Sequence, residues 1–153
     1  MVWIDYQKPY DSVPHSWILK CLKIFRIADN IVSFLEKSMT LWQTVLLLNQ
    51  DIIGIISIKC GIFQGDSLSP LLFIICLIPL SSLLSSNKFG FKIENDIINH
   101  LLYMDDLKLY GKSEKEIDAL VNTVRIFSGD INMNFGLNKC AKVTKIRGKK
   151  GTW

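Results

Sequence analysis

Leu101-Leu102-Tyr103-Met104-Asp105-Asp106-Leu107-Lys108-Leu109-Tyr110 is the stretch on which the reading of this chain turns. An apolar run meets two adjacent carboxylates, then alternates as a strand returning from a tight turn should. Adjacent carboxylates repel unless a cation lies nearby, although a hairpin tip in water also tolerates them. About a hundred positions earlier, Val2-Trp3-Ile4-Asp5 ends the same way, as a short apolar strand with an acid just past it. An unpaired carboxylate is costly to bury. Three acids at strand ends are therefore either incidental surface groups or a set gathered round a cation. Carboxylates from different strands holding two magnesium ions are the working parts of phosphoryl-transfer enzymes.

Working outward, Ile18, Leu19, Leu22 and Phe25 form one helical stripe, and Ile31, Val32, Leu35 and Met39 form another with Asp29 as its N-cap. Thr44–Leu48 and Ile52–Ile58 flank Asn49-Gln50-Asp51 as a hairpin whose turn lacks the preferred glycine. Leu68–Leu84 holds only Ser and Pro besides apolar residues. It reads as a core helix capped by Ser67, with Pro70 in its first turn. Its length is at the short limit for a bilayer span, so a small membrane-associated protein is an alternative. Strands follow over Phe89–Ile93 and Ile97–Tyr103. A helix then opens at Ser113, which forms a capping box with Glu116. Its buried face is Ile117, Leu120, Val121, Val124 and Phe127. Met133–Phe135 and Lys142–Ile146 supply closing strands. This order predicts an α+β fold, an antiparallel sheet covered by helices on one face.

The chain has 153 residues, 49% of them hydrophobic, which suits one domain with a real core. Its net charge of +4 is concentrated near the end, in Lys139, Lys142, Lys145, Arg147, Lys149 and Lys150. Such a cluster can follow a phosphate backbone or be a merely solvated terminus. Cys21, Cys60, Cys76 and Cys140 lack C-x-x-C spacing, which argues against a zinc site or a disulfide framework and suits a reducing, intracellular compartment. No basic leader precedes an apolar stretch, so no signal peptide is read.

Three further strings carry chemistry. In Asp5-Tyr6-Gln7-Lys8-Pro9-Tyr10-Asp11, an acid past a strand end and an aromatic five positions on can hold a metal and wall a sugar. A plain turn with two solvated aspartates would look the same. In Gly61-Ile62-Phe63-Gln64-Gly65-Asp66-Ser67-Leu68-Ser69-Pro70, the glycines let backbone approach a flat ligand, and Gln64 offers both donor and acceptor. Alone, that string is also an ordinary loop and helix start. Gly136-Leu137-Asn138-Lys139-Cys140 sets a lysine near a strand start, where an ammonium could meet a phosphate.

In this order and spacing, the four strings resemble the palm domain of reverse transcriptases, in particular those of non-LTR (LINE-type) retrotransposons. The resemblance runs from Trp3 to about Thr144. It implies a polymerase palm with a ferredoxin-like or RRM-like core over residues 1–147, with 148–153 a basic tail. The implied activity is RNA-directed DNA polymerisation, by two-metal transfer of a nucleotide to a primer 3′-hydroxyl. Asp5, Asp105 and Asp106 would be the metal triad. Asp5 and Asp105 would bridge two Mg²⁺ ions, with Mn²⁺ as a substitute, and Asp106 would lie in support. Tyr10 would pack under the deoxyribose, and Gln64 and Gly65 would line the nascent base pair. Lys139 would lie near the triphosphate as a charge stabiliser or proton donor. Tyr103 and Met104 would support the primer end, and Lys142, Lys145 and Arg147 would meet nucleic acid. The implied partners are an RNA template, a DNA primer and deoxynucleoside triphosphates, with no membrane.

Two positions depart from the family pattern. Pro9 replaces a small residue and removes an N–H, and it restricts Lys8 before it. Cys60 stands where a basic residue is common. Since most of the fingers and thumb fall outside this stretch, the resemblance implies a severely impaired or inactive polymerase when the palm stands alone. A non-catalytic nucleic-acid-binding remnant is the alternative.

Overall fold

In the computed structural model, which describes residues 1–144, the chain opens with β1 (Val2–Ile4), α1 (Pro9–Ser12), α2 (His15–Ile24) and α3 (Asp29–Thr40). It continues through β2 (Gln43–Leu48), β3 (Asp51–Ser57), α4 (Ser69–Ser85), β4 (Phe91–Ile93) and β5 (Asp96–Ile98). Then come β6 (His100–Tyr103), β7 (Asp106–Leu109), α5 (Glu114–Asp130) and β8 (Ala141–Lys142). Contacts divide it into two compact units, one of Met1–Gln7 with the chain from Pro79 onward, the other of Lys8–Ile78.

The first unit is built on a four-stranded antiparallel sheet in the order β6-β7-β1-β8. Val2 lies opposite Leu109 and Ile4 opposite Leu107, and all four are buried. Period-two alternation puts them on one face, where α5 covers them with Ile117, Leu120, Val124 and Phe127. Each such side chain contributes about 1.5–3 kcal/mol when fully buried. The opposite face carries Trp3, Lys108, Leu101 and Tyr103. The Lys108 ammonium sits 5.6 Å from the centre of the Trp3 ring. Tyr6, just past β1, returns to the buried side, where its hydroxyl is 3.0 Å from Ser128 Oγ and its ring meets Phe135 edge-on. Burial pushes the Tyr6 phenol up to about 12.

Ser113 caps α5 as expected, its Oγ accepting from Glu116 N–H. The return arm of the box differs. Glu116 Oε2 accepts from the N–H groups of Lys112, at 2.8 Å, and Gly90, at 3.3 Å, rather than from Ser113. Val121 is only half-buried.

The strand expected over Ile97–Tyr103 is broken at Asn99, and β4 with β5 forms a separate two-stranded sheet. Asn99 is buried, donates from Nδ2 to Leu84 O at 2.6 Å and accepts at Oδ1 from His100 Nδ1 at 2.7 Å. That fixes the tautomer of a neutral His100, whose Nε2 then accepts from Ser81 Oγ at 2.7 Å. In the second unit, His15 Nε2 donates to Gly61 O at 3.1 Å. Burial is the leading cause that lowers the pKa of each histidine below its ordinary value. The unfolded chain therefore binds protons that the folded chain resists. Their contribution to stability is complete above about pH 6.5 and is lost as pH falls below it. Melting temperatures measured from pH 7 down to about pH 5 should decline, and His100→Asn should flatten that slope.

In the second unit, α2 buries Ile18, Cys21 and Leu22, and α3 buries Val32, Leu35 and Met39. Ala28, not Asp29, is the N-cap of α3, and no side chain caps it. Ahead of α4, Asp66 Oδ1 accepts from Leu68 N–H at 2.7 Å, a local turn two residues long. The helix α4 holds Pro79 in its interior, and Leu71, Ile74 and Leu83 are exposed, so it is not apolar-packed all round. No described helix is long and apolar enough to cross a membrane.

The expected hairpin forms as β2 and β3. Asn49 and Gln50 both take positive φ, the signature of a type I′ turn in spite of the missing glycine. A register shift at Leu46/Leu47 leaves Ile53 as an extra residue, a bulge. Val45, Leu47, Ile52 and Ile55 share one face, Leu46, Leu48 and Ile56 the other, and every one is at least 42% exposed. Such a two-sided apolar hairpin, whose one charge is Asp51 beside the turn, is prone to association.

Toward the end of the described residues, Met133–Phe135 is not a strand but an isolated bridge from Phe135 to Tyr6. The strand expected over Lys142–Ile146 is β8, Ala141–Lys142. Lys145, Arg147 and the tail at 148–153 lie outside the described residues.

Candidate functional site

The register of β1 against β7 brings the acids to one end of the sheet. Ile4 faces Leu107, so the next positions outward are Asp5 and Asp106. Tyr103 faces Asp106 across the hairpin, leaving Met104 and Asp105 as a two-residue tip. Met104 has φ 52 whereas Asp105 is not among the positive-φ residues, the pattern of a type II′ turn. Glycine is usual at that first position, and a non-glycine residue there costs about 1–3 kcal/mol. Asp105 is half-buried at the tip beside an exposed Asp106, with Tyr103 exposed.

Asp5 is held between the buried side chains of Ile4 and Tyr6, and the Gly136–Cys140 turn closes over it. Gly136 N–H donates to Asp5 O at 2.7 Å, and Cys140 Sγ lies 3.7 Å from the same oxygen. A Cβ at Gly136 would stand 2.7 Å from Asp5 Oδ2, so any larger residue there would push the Asp5 carboxylate out of its present place. That carboxylate oxygen is buried and has no hydrogen-bond partner among the described residues. The Lys139 ammonium is 3.4 Å away, close enough for an ion pair without hydrogen-bond alignment. Sequence reasoning missed Gly136 as part of the site. Its signal was the glycine opening the Gly136-Leu137-Asn138-Lys139-Cys140 string.

Lys142 faces elsewhere. It pairs with Val2, and its ammonium donates to Glu114 Oε1 at 2.7 Å and Asp118 Oδ1 at 3.2 Å, both on α5. Those carboxylates raise its pKa. Its charge is therefore directed to the helix side of the sheet, away from the Trp3 face.

The second unit holds the remaining candidates. Tyr10 stacks on Phe73 with ring centres 4.5 Å apart, and its carbonyl accepts from Ile62 N–H at 2.7 Å. Gly61, at φ 92, donates to Val13 O, and a Cβ there would meet the Asp11 backbone at 2.9 Å. The Tyr10 turn and the loop leading to Gln64 are thus laced together by backbone. Gln64 and Gly65 are exposed, and Gly65, at φ 93, has open space where a Cβ would be. Pro9 occupies the first turn of α1. The residue before it, Lys8, is in the left-handed region at φ 43 rather than extended, contrary to the usual restriction before proline.

Among the described residues, no group of three His, Cys, Asp or Glu side chains converges closely enough to hold a metal. What fits a hard cation is narrower. It is a set of oxygen donors at one sheet end and a buried, hydrogen-bond-free oxygen on Asp5.

Residues 1–150 match the family described as reverse transcriptase (RNA-dependent DNA polymerase). The chain belongs to the reverse transcriptase family. The Pol polyprotein from type-1 retrotransposable element R2 of Popillia japonica is 28% identical over 145 residues, covering 94% of this chain and 24% of that protein. The corresponding polyprotein from element R2DM of Drosophila melanogaster is 28% identical over 144 residues, covering 92% of this chain and 13% of that protein. This reverse transcriptase domain is thus of the non-LTR retroelement kind, and it spans about a quarter or less of the length of these relatives. Among solved structures, apo telomerase from Candida tropicalis, truncated from its C-terminal domain, superposes with a TM-score of 0.74 at 14% identity, covering 97% of this chain and 31% of that one. Telomerase from Candida albicans, in complex with a fragment of telomeric RNA, gives 0.71 at 15% identity, covering 97% and 27%. These likenesses concern the fold, α+β with antiparallel sheets.

Proposed function

We propose that this reverse transcriptase domain is the palm of an RNA-directed DNA polymerase, with its nucleotidyl-transfer site at the Asp5, Asp105 and Asp106 end of the sheet. The observation that carries the reading is the buried Asp5 Oδ2, which lacks a hydrogen bond where strand register also delivers Asp106 and the Asp105 tip. Asp5 and Asp105 hold magnesium, or manganese in its place, and Asp106 adds negative charge beside them. The chemistry supplied by bound divalent ions is activation of a primer 3′-hydroxyl and neutralisation of charge on the triphosphate and leaving pyrophosphate. The Met104 turn sets the backbone position of Asp105 at the tip of the hairpin. Tyr103 and Met104 support the primer end. Tyr10, Gln64 and Gly65, all of the second unit, are the residues that the family resemblance gives to nucleotide binding. An RNA template, a DNA primer and deoxynucleoside triphosphates are the partners of this reading, and four free thiols suit an intracellular setting.

The test is single-nucleotide addition to a DNA primer on an RNA template, with the chain in excess and Mn²⁺ present. The expected result is slow, templated addition that Asp105→Asn removes. No addition, or addition indifferent to Asp105→Asn, would count against catalysis.

One observation favours a second reading, a non-catalytic nucleic-acid-binding remnant. Trp3, Leu101, Tyr103 and Lys108 share the sheet face opposite α5, and Leu101 and Tyr103 are 56% and 77% exposed. Aromatic groups with a lysine on an open sheet can stack bases. That reading requires salt-sensitive RNA binding that survives Asp5→Asn.

A further inference from the structure

We propose that Lys139 and a divalent cation compete for the same oxygen of Asp5, so that Lys139 holds the carboxylate in the ion-free protein and releases it on loading. This rests on the reading of Asp5 as a metal ligand. Asp5 Oδ2 is buried, and its one flank is backed by Gly136, where even a methyl group would stand 2.7 Å away. The Lys139 ammonium is 3.4 Å from it. A magnesium ion would need to sit about 2.0–2.1 Å from such an oxygen. A dication at that distance and an ammonium at 3.4 Å from one atom repel each other, so occupation by one disfavours the other.

The two side chains are built for exchange. Asp5 is 25% exposed and fixed by the turn around it, while Lys139 is 67% exposed on a flexible four-carbon stem. An ion pair this exposed is weak, so it neutralises the carboxylate without locking it. The backbone of the turn, with Lys139 N–H donating to Gly136 O at 2.7 Å, stays in place when the side chain leaves. The released ammonium then remains at the rim of the site, where it can meet a phosphate.

The test is Mn²⁺ titration of the full chain, read by the electron paramagnetic resonance of free Mn²⁺, for the wild type, Lys139→Gln, Lys139→Arg and Asp5→Asn. Lys139→Gln should bind Mn²⁺ about two- to five-fold more tightly, the range that competition with an exposed ion pair supports. Lys139→Arg should stay close to the wild type. Unchanged or weaker binding by Lys139→Gln overturns the proposal. If Asp5→Asn binds Mn²⁺ as well as the wild type does, or if the wild type binds none, Asp5 is not a ligand and the underlying reading fails instead. Melting curves give a second readout. Without metal, Lys139→Gln should melt lower than the wild type, and saturating Mn²⁺ should raise its melting temperature by more. An equal or smaller rise contradicts the competition.

Discussion

Asp105→Asn should remove the proposed templated nucleotide addition, lowering its rate by about a thousand-fold or more, and should leave the chain folded. The substitution keeps the shape of the side chain and deletes its charge. A neutral amide is a poor ligand for magnesium, and loss of one preorganised electrostatic contact in an active site typically costs about 10²–10³-fold. Loss of a metal ligand, which also displaces the nucleophile, costs more. Asp5→Asn should act as severely. Asp106→Asn should act less, because Asp106 is the exposed and supporting member of the set. Stability should move the other way. Asp105 and Asp106 are adjacent at a hairpin tip, so removing one charge relieves repulsion in the metal-free chain. The check is paired, single-turnover addition beside thermal melting. A variant that keeps activity within tenfold of the wild type would remove Asp105 from the chemistry. A variant that loses activity together with its fold would not support a role in metal binding.

The second large effect is on folding. Gly90→Ala should destabilise the chain by about 3–5 kcal/mol, combining backbone strain with overpacking. Gly90 has φ 119, which side chains rarely adopt, and a Cβ there would lie 2.6 Å from Ile98 O and 2.7 Å from Asn99 Cβ. Neither neighbour can yield cheaply. Asn99 is buried and tied to Leu84 O, and its Oδ1 holds His100. Gly90 N–H also donates to Glu116, which links the start of β4 to the start of α5. A domain of this size loses roughly 2–4 °C of melting temperature per kcal/mol, so the drop should reach about 10 °C. Gly129→Ala is the control. Gly129 lies inside α5 with nothing within 4 Å of the place a methyl group would take, and alanine there should stabilise by up to about 1 kcal/mol. If both changes are neutral, the packing described around Asn99 is wrong.

The sequence shows clearly those parts of the fold in which one periodicity prevails. β1, the β2–β3 hairpin and the face of α5 from Ile117 to Phe127 follow directly from alternation or helical spacing. Asn99 breaks a strand without disturbing that pattern, because what breaks it is a set of side-chain hydrogen bonds to Leu84 and His100. The cap expected at Asp29 falls one residue from the observed N-cap, Ala28, which makes no side-chain hydrogen bond.

At the candidate site, the acids are legible because a carboxylate at the end of an apolar strand is conspicuous. The partner of Asp5 is not. Lys139 is far away in sequence, and a lysine in a basic stretch reads most simply as a phosphate ligand. Lys142 shows the same limit, since only the strand register turns it toward Glu114 and Asp118.

The central claim is that Asp5 and Asp105 hold divalent ions together. Anomalous diffraction from crystals of this chain soaked in Mn²⁺ tests it most directly. The account predicts two peaks about 3.5–4 Å apart, between the Asp5 and Asp105 carboxylates, with Lys139 turned away from Asp5. Absence of manganese at that end of the sheet, with Lys139 still on Asp5 at saturating ion, would contradict it.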